Sequence, residues 1–273
     1  MLTVDDLRAM QRSVGIWLPG FAVTGEGVGL RGELELDEVI RLAEAFTDAV
    51  LAVEVLADRV GAVTEYAYSV SASGVRGLME AMPRGLVTCT LPGGDPVSVV
   101  AAAAGISREL RPAEGLMWTV HAAAYQKCDS LALAGDEEGA VAALMAGAEE
   151  LSPPAFGPDH LADTGFRSPD DQARSSAPMA TIPARCFARA GISERAAKAW
   201  VAALCGRGSA AAVTVVRREP GSGRLEAGEL RYVADSLGGA WRVTSDDAGY
   251  TITPLDGSGL LAVLRELMRE TRT

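Results

Sequence analysis

Two stretches of equal length decide how this chain is read: GLVTCTLPGGDPVSVV, residues 85–100, and GYTITPLDGSGLLAVL, residues 249–264. Each opens as a β-type run, passes through a glycine-bearing turn and ends in an apolar helical run. In the first, Asp95 stands where a helix needs a cap and Pro96 where it begins. A carboxylate there accepts from the unpaired N–H groups of the first turn, and proline has no N–H to lose at that position. A shift of 164 residues lays Gly85 on Gly249, Leu91 on Leu255, Gly93 on Gly257 and Val99 on Val263. Carried backwards, the same shift lays Tyr68 on Tyr232 and Gly74 on Gly238. Identities are few, but an offset that survives one element after another is the mark of an internal repeat.

Working outward, the segment before each stretch has the same order. LDEVIRLAEAFTDA is an amphipathic helix with Asp37 as its cap and Val39, Ile40, Leu42, Ala43 and Phe46 as its apolar stripe. VLAVEVLAD (50–58) alternates Val53 and Val55 against Glu54 as a strand does, and TEYAYSVSA (64–72) puts Tyr66, Tyr68 and Val70 on one face. In the second half, GISERAAKAWVAALCG (191–206) is a helix capped by Ser193, followed by the strands AAVTVVRRE (211–219), ELRYVADS (229–236), AWRVTS and GYTITPL, with GSGLLAVLRELMRE as the closing helix.

Between the halves, residues 107–150 read as helical, with a broken stretch around LMWTVHAAAYQKC and a second helix capped by Asp136. Residues 152–182 hold five prolines and little apolar periodicity, so they read as a long flexible connection. Near the N-terminus, Thr3 is placed to cap a short helix, and VGIWLPGFAV reads as extended. The expected architecture is α+β, a mixed and mainly antiparallel sheet with flanking helices, in two halves related by a pseudo-two-fold. The expected divisions are 1–106, 107–182 and 183–273, integrated into one domain.

Composition removes several functions. The formal net charge is −11 with no basic cluster, the opposite of a nucleic-acid footprint or an anionic-membrane binder. The longest apolar run, Val97 to Ile106, is about half a bilayer span. The first residues, MLTVDDLRAMQ, carry aspartates where an export signal carries positive charge, so a cytoplasmic location is expected. Cys89, Cys128, Cys186 and Cys205 are far apart and read as small buried hydrophobes.

Gly27-x-Gly29-x-x-Gly32 has the spacing of a dinucleotide-binding turn, and Glu54 lies where a ribose-binding acid would follow. Against a nucleotide cofactor, ELELD separates the glycines from the helix, and Glu26, Glu33, Glu35 and Asp37 would repel a pyrophosphate. His121 reads as a helix residue and His160 as part of the Pro-rich connection, so neither joins a ligand set. No catalytic, cofactor or metal residue is assigned. A cofactor-using enzyme built on Gly27–Gly32 and a scaffold domain stand as the alternatives to a binding protein. For binding, Tyr66, Tyr68, Tyr232 and Trp241 are the candidates, being rigid amphipathic side chains of the kind that anchor interfaces; the competing expectation is that they are core.

The C-terminal third, from FARAGISERAAKAWVAAL through AVTVVRRE, PGSGRLEAG, LRYVADS and GAWRVTS to GYTITPLDGSGLLAVLRELM, resembles the EspG family, the cytosolic chaperones of type VII (ESX) secretion in actinobacteria. The first half is similar to that family more loosely, through its helix, LAVEVLADR and GLVTCTLPGGDP. The resemblance implies a quasi-two-fold mixed fold, no enzymatic activity, and a PE–PPE heterodimer, bound at the PPE tip, or a related secreted helical protein as partner. A long hairpin loop contributes to binding in some members; here the connection from Asp58 to Val63 is short. An Arg-rich chain whose only lysines are Lys127 and Lys198 is compatible with a GC-rich actinobacterial genome.

Overall fold

The computed structural model describes residues 29–31, 36–59, 62–82, 86–115, 117–152, 188–218, 223–247 and 249–269. The readings at Thr3, at VGIWLPGFAV, at Gly27 and Gly32, at His160 and along the Pro-rich connection from 153 onward lie outside these residues.

In chain order the elements are β1 (Gly29–Arg31), α1 (Leu36–Thr47), β2 (Ala49–Arg59), β3 (Ala62–Ser71), β4 (Arg76–Met82), β5 (Leu86–Thr90), α2 (Pro96–Ala104), β6 (Arg111–Pro112), β7 (Met117–His121), α3 (Ala122–Leu133), α4 (Glu137–Gly147), β8 (Ala148–Ser152), β9 (Ala188–Gly191), α5 (Glu194–Ala202), a π turn over Ala203–Arg207, β10 (Ser209–Arg218), β11 (Leu225–Ala234), β12 (Gly239–Ser245), β13 (Gly249–Pro254) and α6 (Gly257–Leu267). The strands form one 13-stranded sheet in the order β1-β5-β4-β3-β2-β10-β11-β12-β13-β7-β8-β9, with β6 beside β12. Among the described residues all pairings are antiparallel except β1 with β5 and β6 with β12. The protein is a mixed α+β fold built on a large antiparallel sheet.

The order β5-β4-β3-β2 followed by β10-β11-β12-β13 reads the same outward from its centre. Each half runs helix, four antiparallel strands, helix: α1 to α2 in the first, α5 to α6 in the second. The halves join through the antiparallel pair β2–β10. An offset of 160 residues carries Ala49, the start of β2, onto Ser209, the start of β10. It also carries Glu54 onto Thr214, which are direct register partners. The pseudo-two-fold therefore passes between Glu54 and Thr214.

One sheet face is sealed by the two symmetry-related helices α2 and α6. Val53, Val55 and Ala57 of β2 and Ala211, Val213 and Val215 of β10 point into this core, against Val100 and Ala104 of α2 and Leu260 and Leu264 of α6. Asp95 caps α2 by accepting from the Ser98 N–H at 3.0 Å, and Asp256 caps α6 by accepting from the Gly259 N–H at 2.6 Å. At the other end of α2, the carbonyls of Ala102 and Ala103 accept from the Arg59 guanidinium at 2.7 and 3.1 Å, Ala102 also accepting from the Gly105 N–H at 3.2 Å. The Tyr232 hydroxyl donates to Ala104 at 2.6 Å. These bonds tie the carbonyl end of α2 to β2 and β11, where the last turn of a helix leaves acceptors in need of partners.

Among the described residues, the opposite face carries helices only at its flanks. α1 lies over β3 and β4 with Leu42, Ala45 and Phe46 buried. Its close seat needs a glycine: a Cβ on Gly77 of β4 would come within 2.5 Å of the Phe46 ring. On the far side α5, α3 and α4 enclose a second core around three tryptophans. Trp200 meets Trp118 and Trp241 edge-on, with centroids 5.4 and 5.5 Å away.

Several expectations are corrected. α1 starts at Leu36, which places Asp37 inside its first turn rather than at its cap. LMWTVHAAAYQKC is a strand followed by a helix: Trp118 and Val120 face the second core, and His121 is the exposed residue where β7 becomes α3. The strand Arg76–Met82 has no counterpart among the expected elements.

Candidate partner-binding face

The interest of the sheet lies at its centre, on the face that α2 and α6 do not cover. Ala52, Glu54 and Leu56 of β2 alternate with its buried valines and are paired with Val216, Thr214 and Ala212 of β10. α1 reaches β2, and the π turn reaches β10, at diagonally opposite ends of this pair. Between them the middle stays accessible, because α1 is centred on β3 and β4 and Trp200 anchors α5 out over β12 and β7.

What remains exposed runs as a diagonal across four strands. Val63 at the start of β3 is 57% exposed and Leu56 on β2 48%. They share a face, because Asp58 pairs with Val63 and Leu56 with Glu65. Across the axis, Val216 is half-buried and Leu225 at the start of β11 is 63% exposed. Leu225 pairs with Arg218, and Ala227 with Val216. The pseudo-two-fold exchanges the two ends of this diagonal. At the Leu225 end it deepens into a recess of about 290 Å³ floored by Ala52, Thr214 and Val216 and walled by Phe46 and Thr47. Exposed apolar residues aligned among polar ones are the usual surface signature of a docking site.

The electrostatics of the face are simple. Glu54 is exposed in the middle of the path, with no hydrogen-bond or ion-pair partner among the described residues. Arg231 on β11 is held by Glu229 at 2.5 Å. Arg217 turns away, donating to Glu226 at 3.2 Å and to the Arg269 carbonyl at 2.7 Å. Elsewhere, burial pushes the Tyr125 phenol up to about 12, the Cys128 thiol up to about 11 and the Cys89 thiol up to about 12. Thiols so far from ionising are packing groups rather than nucleophiles.

None of the four aromatic residues singled out from the sequence lies on this face. Tyr68 and Tyr232 are 1% exposed and belong to the core beneath α2 and α6. Trp241 is 2% exposed in the tryptophan core. Tyr66, half-buried, packs against the α2–α6 core, and burial raises its phenol, with Glu80 adding to the effect. Burial takes Tyr68, Tyr232 and Trp241 off any surface a partner could reach in this conformation. The uncharged residues that line the open face are small or aliphatic, and only the strict alternation of LAVEVLAD and AAVTVVRR pointed to them.

The glycine stretch also acquires a position. Gly29–Arg31 is a short edge strand parallel to β5. The helix that follows leads to β2, four places along the sheet and antiparallel to β1. A dinucleotide turn instead feeds a helix that returns to a neighbouring parallel strand. Glu54 projects from the face just described. Among the described residues no cluster of three or more His, Cys, Asp or Glu side chains is arranged to hold a metal ion. No described helix is long and apolar enough to cross a membrane.

No protein-family model matches the chain, and no curated protein matches its sequence. A solved structure does match in three dimensions: the Mycobacterium tuberculosis type VII secretion system chaperone EspG5 in complex with the PE25–PPE41 dimer. The identity is 13%, the TM-score 0.51, and the match covers 98% of this chain and 94% of that one. At that identity the likeness speaks for architecture alone, and it spans both halves. The chain has an EspG-like fold.

Proposed function

We propose that this protein is a chaperone of type VII secretion that acts by binding, without catalysis. Its partner is a PE–PPE heterodimer, held at the apolar tip of the PPE protein and kept soluble in the cytoplasm of an actinobacterium. The observation that carries this is the open face on the pseudo-two-fold of an EspG-like fold, where Val63 and Leu56 on one side of Glu54 and Val216 and Leu225 on the other are accessible apolar residues aligned on one diagonal. An exposed helical-hairpin tip needs such a surface: shallow, apolar and floored by small side chains that let a helix approach. The likeness to EspG5, which was solved with a PE–PPE dimer, supports the choice of partner class.

The test is co-expression with each PE–PPE pair encoded beside the gene, followed by gel filtration. A stable co-eluting complex with at least one pair is expected. Absence of a complex with every local pair, each shown to be soluble, contradicts the proposal.

A further inference from the structure

Glu54 occupies a peculiar position. It sits on the pseudo-two-fold itself, at the midpoint of an apolar diagonal, and its symmetry mate is the neutral Thr214. The face therefore has matching apolar ends and, at its centre, one carboxylate with no partner among the described residues, beside the Glu229–Arg231 pair on β11.

The dimensions fit one helix. From Val63 to Leu225 the path crosses four strands and descends eight residues, roughly 30 Å at ordinary sheet spacings, the length of about 20 helical residues. The accessible floor is about three strands wide, some 14 Å, against a helix diameter of about 10–12 Å. At its centre Ala212 and Thr214 present little side-chain bulk, so a helix can lie close to the strands. α1 and the π turn occupy the other two corners, which leaves one diagonal rather than two.

A helix laid there would take Glu54 out of water. A carboxylate desolvated without a partner carries a large cost, and no cation among the described residues is placed to offset it. Arg231 is already committed to Glu229. Arg218 lies four residues beyond Thr214 on β10, about 14 Å from Glu54 at strand spacing and out of reach.

We propose that the occupant of this face is a single amphipathic helix of the partner, aligned from Val63 to Leu225, with one lysine or arginine at the centre of its apolar stripe to pair with Glu54. Glu54 thereby acts as the specificity determinant of the face: aliphatic contacts at both ends give adhesion, and the central charge rejects helices that are acidic there. The inference rests on the chaperone proposal for the partner's being a helical protein, but its test does not need a PE–PPE pair.

Three 21-residue helical peptides, identical except for Lys, Leu or Glu at the centre of the apolar stripe, are titrated by fluorescence anisotropy against the full chain. The Lys peptide is expected to bind at least about tenfold more tightly than the Glu peptide, as for a close interfacial charge pair. Glu54→Lys is expected to reverse that order, while Glu109→Lys, the same charge change at an exposed residue after α2, leaves it unchanged. Ala212→Trp, which fills the floor, is expected to abolish binding of all three, with thermal melts confirming that each variant is folded. Equal binding of the Lys and Glu peptides, no reversal in Glu54→Lys, or no binding by any peptide overturns the inference. If the peptides fail while a PE–PPE pair still co-elutes, the chaperone proposal stands and the central pairing falls. Concentration-dependent dimerisation abolished by Ala212→Trp would make a second copy the occupant, and also overturns it.

Discussion

β2 and β10 show two faces made by the same strands with opposite outcomes. On one, Val53, Val55, Val213 and Val215 are fully buried under α2 and α6. On the other, Leu56 is half exposed and Glu54 is in water. The strands do not explain the difference, since alternation gives each face an equal share. The helices do. α2 and α6 come last in each half and fold back over the join, pinned by Asp95, Asp256, Arg59 and Tyr232. α1 and α5 come first and are anchored away from it, by Phe46 against Gly77 and by Trp200 between Trp118 and Trp241. A pseudo-two-fold thus converts one pair of helices into a shared core and leaves the other pair as the banks of an open channel.

The contrast is broken most severely from the sealed side. Val213→Asp would bury an unpaired carboxylate at the join, and is expected to cost at least about 4 kcal/mol in urea or guanidinium denaturation. Next, Trp200→Ala removes the centre of the tryptophan core that holds α5 away from the axis, with an expected loss of about 3–5 kcal/mol. Asp95→Ala, which strips the cap from α2, should cost about 1 kcal/mol. The smallest effect on stability is expected at Val216→Asp, within about 0.5 kcal/mol of the parent because the side chain is on the open face. The same substitution should disrupt binding of the partner, which Asp95→Ala should not.

Alkaline pH sharpens the comparison from the buried side alone. The Tyr125, Cys128 and Cys89 groups all have folded values raised above their ordinary ones, 10.0 for the phenol and 9.0 for the thiols, because burial disfavours the ionised form. Their contribution is fully present well below pH 9, where both states are protonated. It is lost as pH rises towards 11 and 12, where the unfolded chain releases protons the folded chain retains. Denaturation midpoints at pH 8.5 and pH 11 should therefore fall with pH; a midpoint independent of pH over that range would place these groups at the surface.

Much of this was legible in the sequence where the signal is local. The caps at Asp95, Asp136 and Ser193 each accept from an N–H of the first turn, as their spacing required. The Gly74–Gly238 match is also physical, since both glycines take positive φ, 86° and 81°, in the turns leaving β3 and β11. The repeat was visible, but no single shift holds throughout: β3 and β11 start 163 residues apart, and β2 and β10 start 160 apart. Loops of unequal length absorb the difference. The strand Arg76–Met82 was hidden because RGLMEAM is rich in good helix formers, and pairing with β3 overrides that propensity. β7 was hidden by the alanines that follow it.

The site was the least legible part, for a tertiary reason. Tyr68, Tyr232 and Trp241 have the chemistry of interface anchors, but which face of a strand becomes surface depends on where the helices settle. Tyr68 and Tyr232 share their face with the join that α2 and α6 cover, and Trp241 lies under α5. Apart from Glu54 and the Glu229–Arg231 pair, the accessible residues are alanines, a threonine and aliphatics that carry no interface signal of their own. Only the sheet register brings Leu56 and Val63 into line with Val216 and Leu225.

The central claim is that the open face at the join is where a secreted helical partner docks. The most direct test measures the affinity of a co-eluting PE–PPE pair for the parent chain and for Ala212→Trp, with thermal melts run beside it. Loss of binding in the variant with an unchanged melting temperature is the expected result. Undiminished binding in a folded Ala212→Trp protein would contradict the claim and move the partner to another surface.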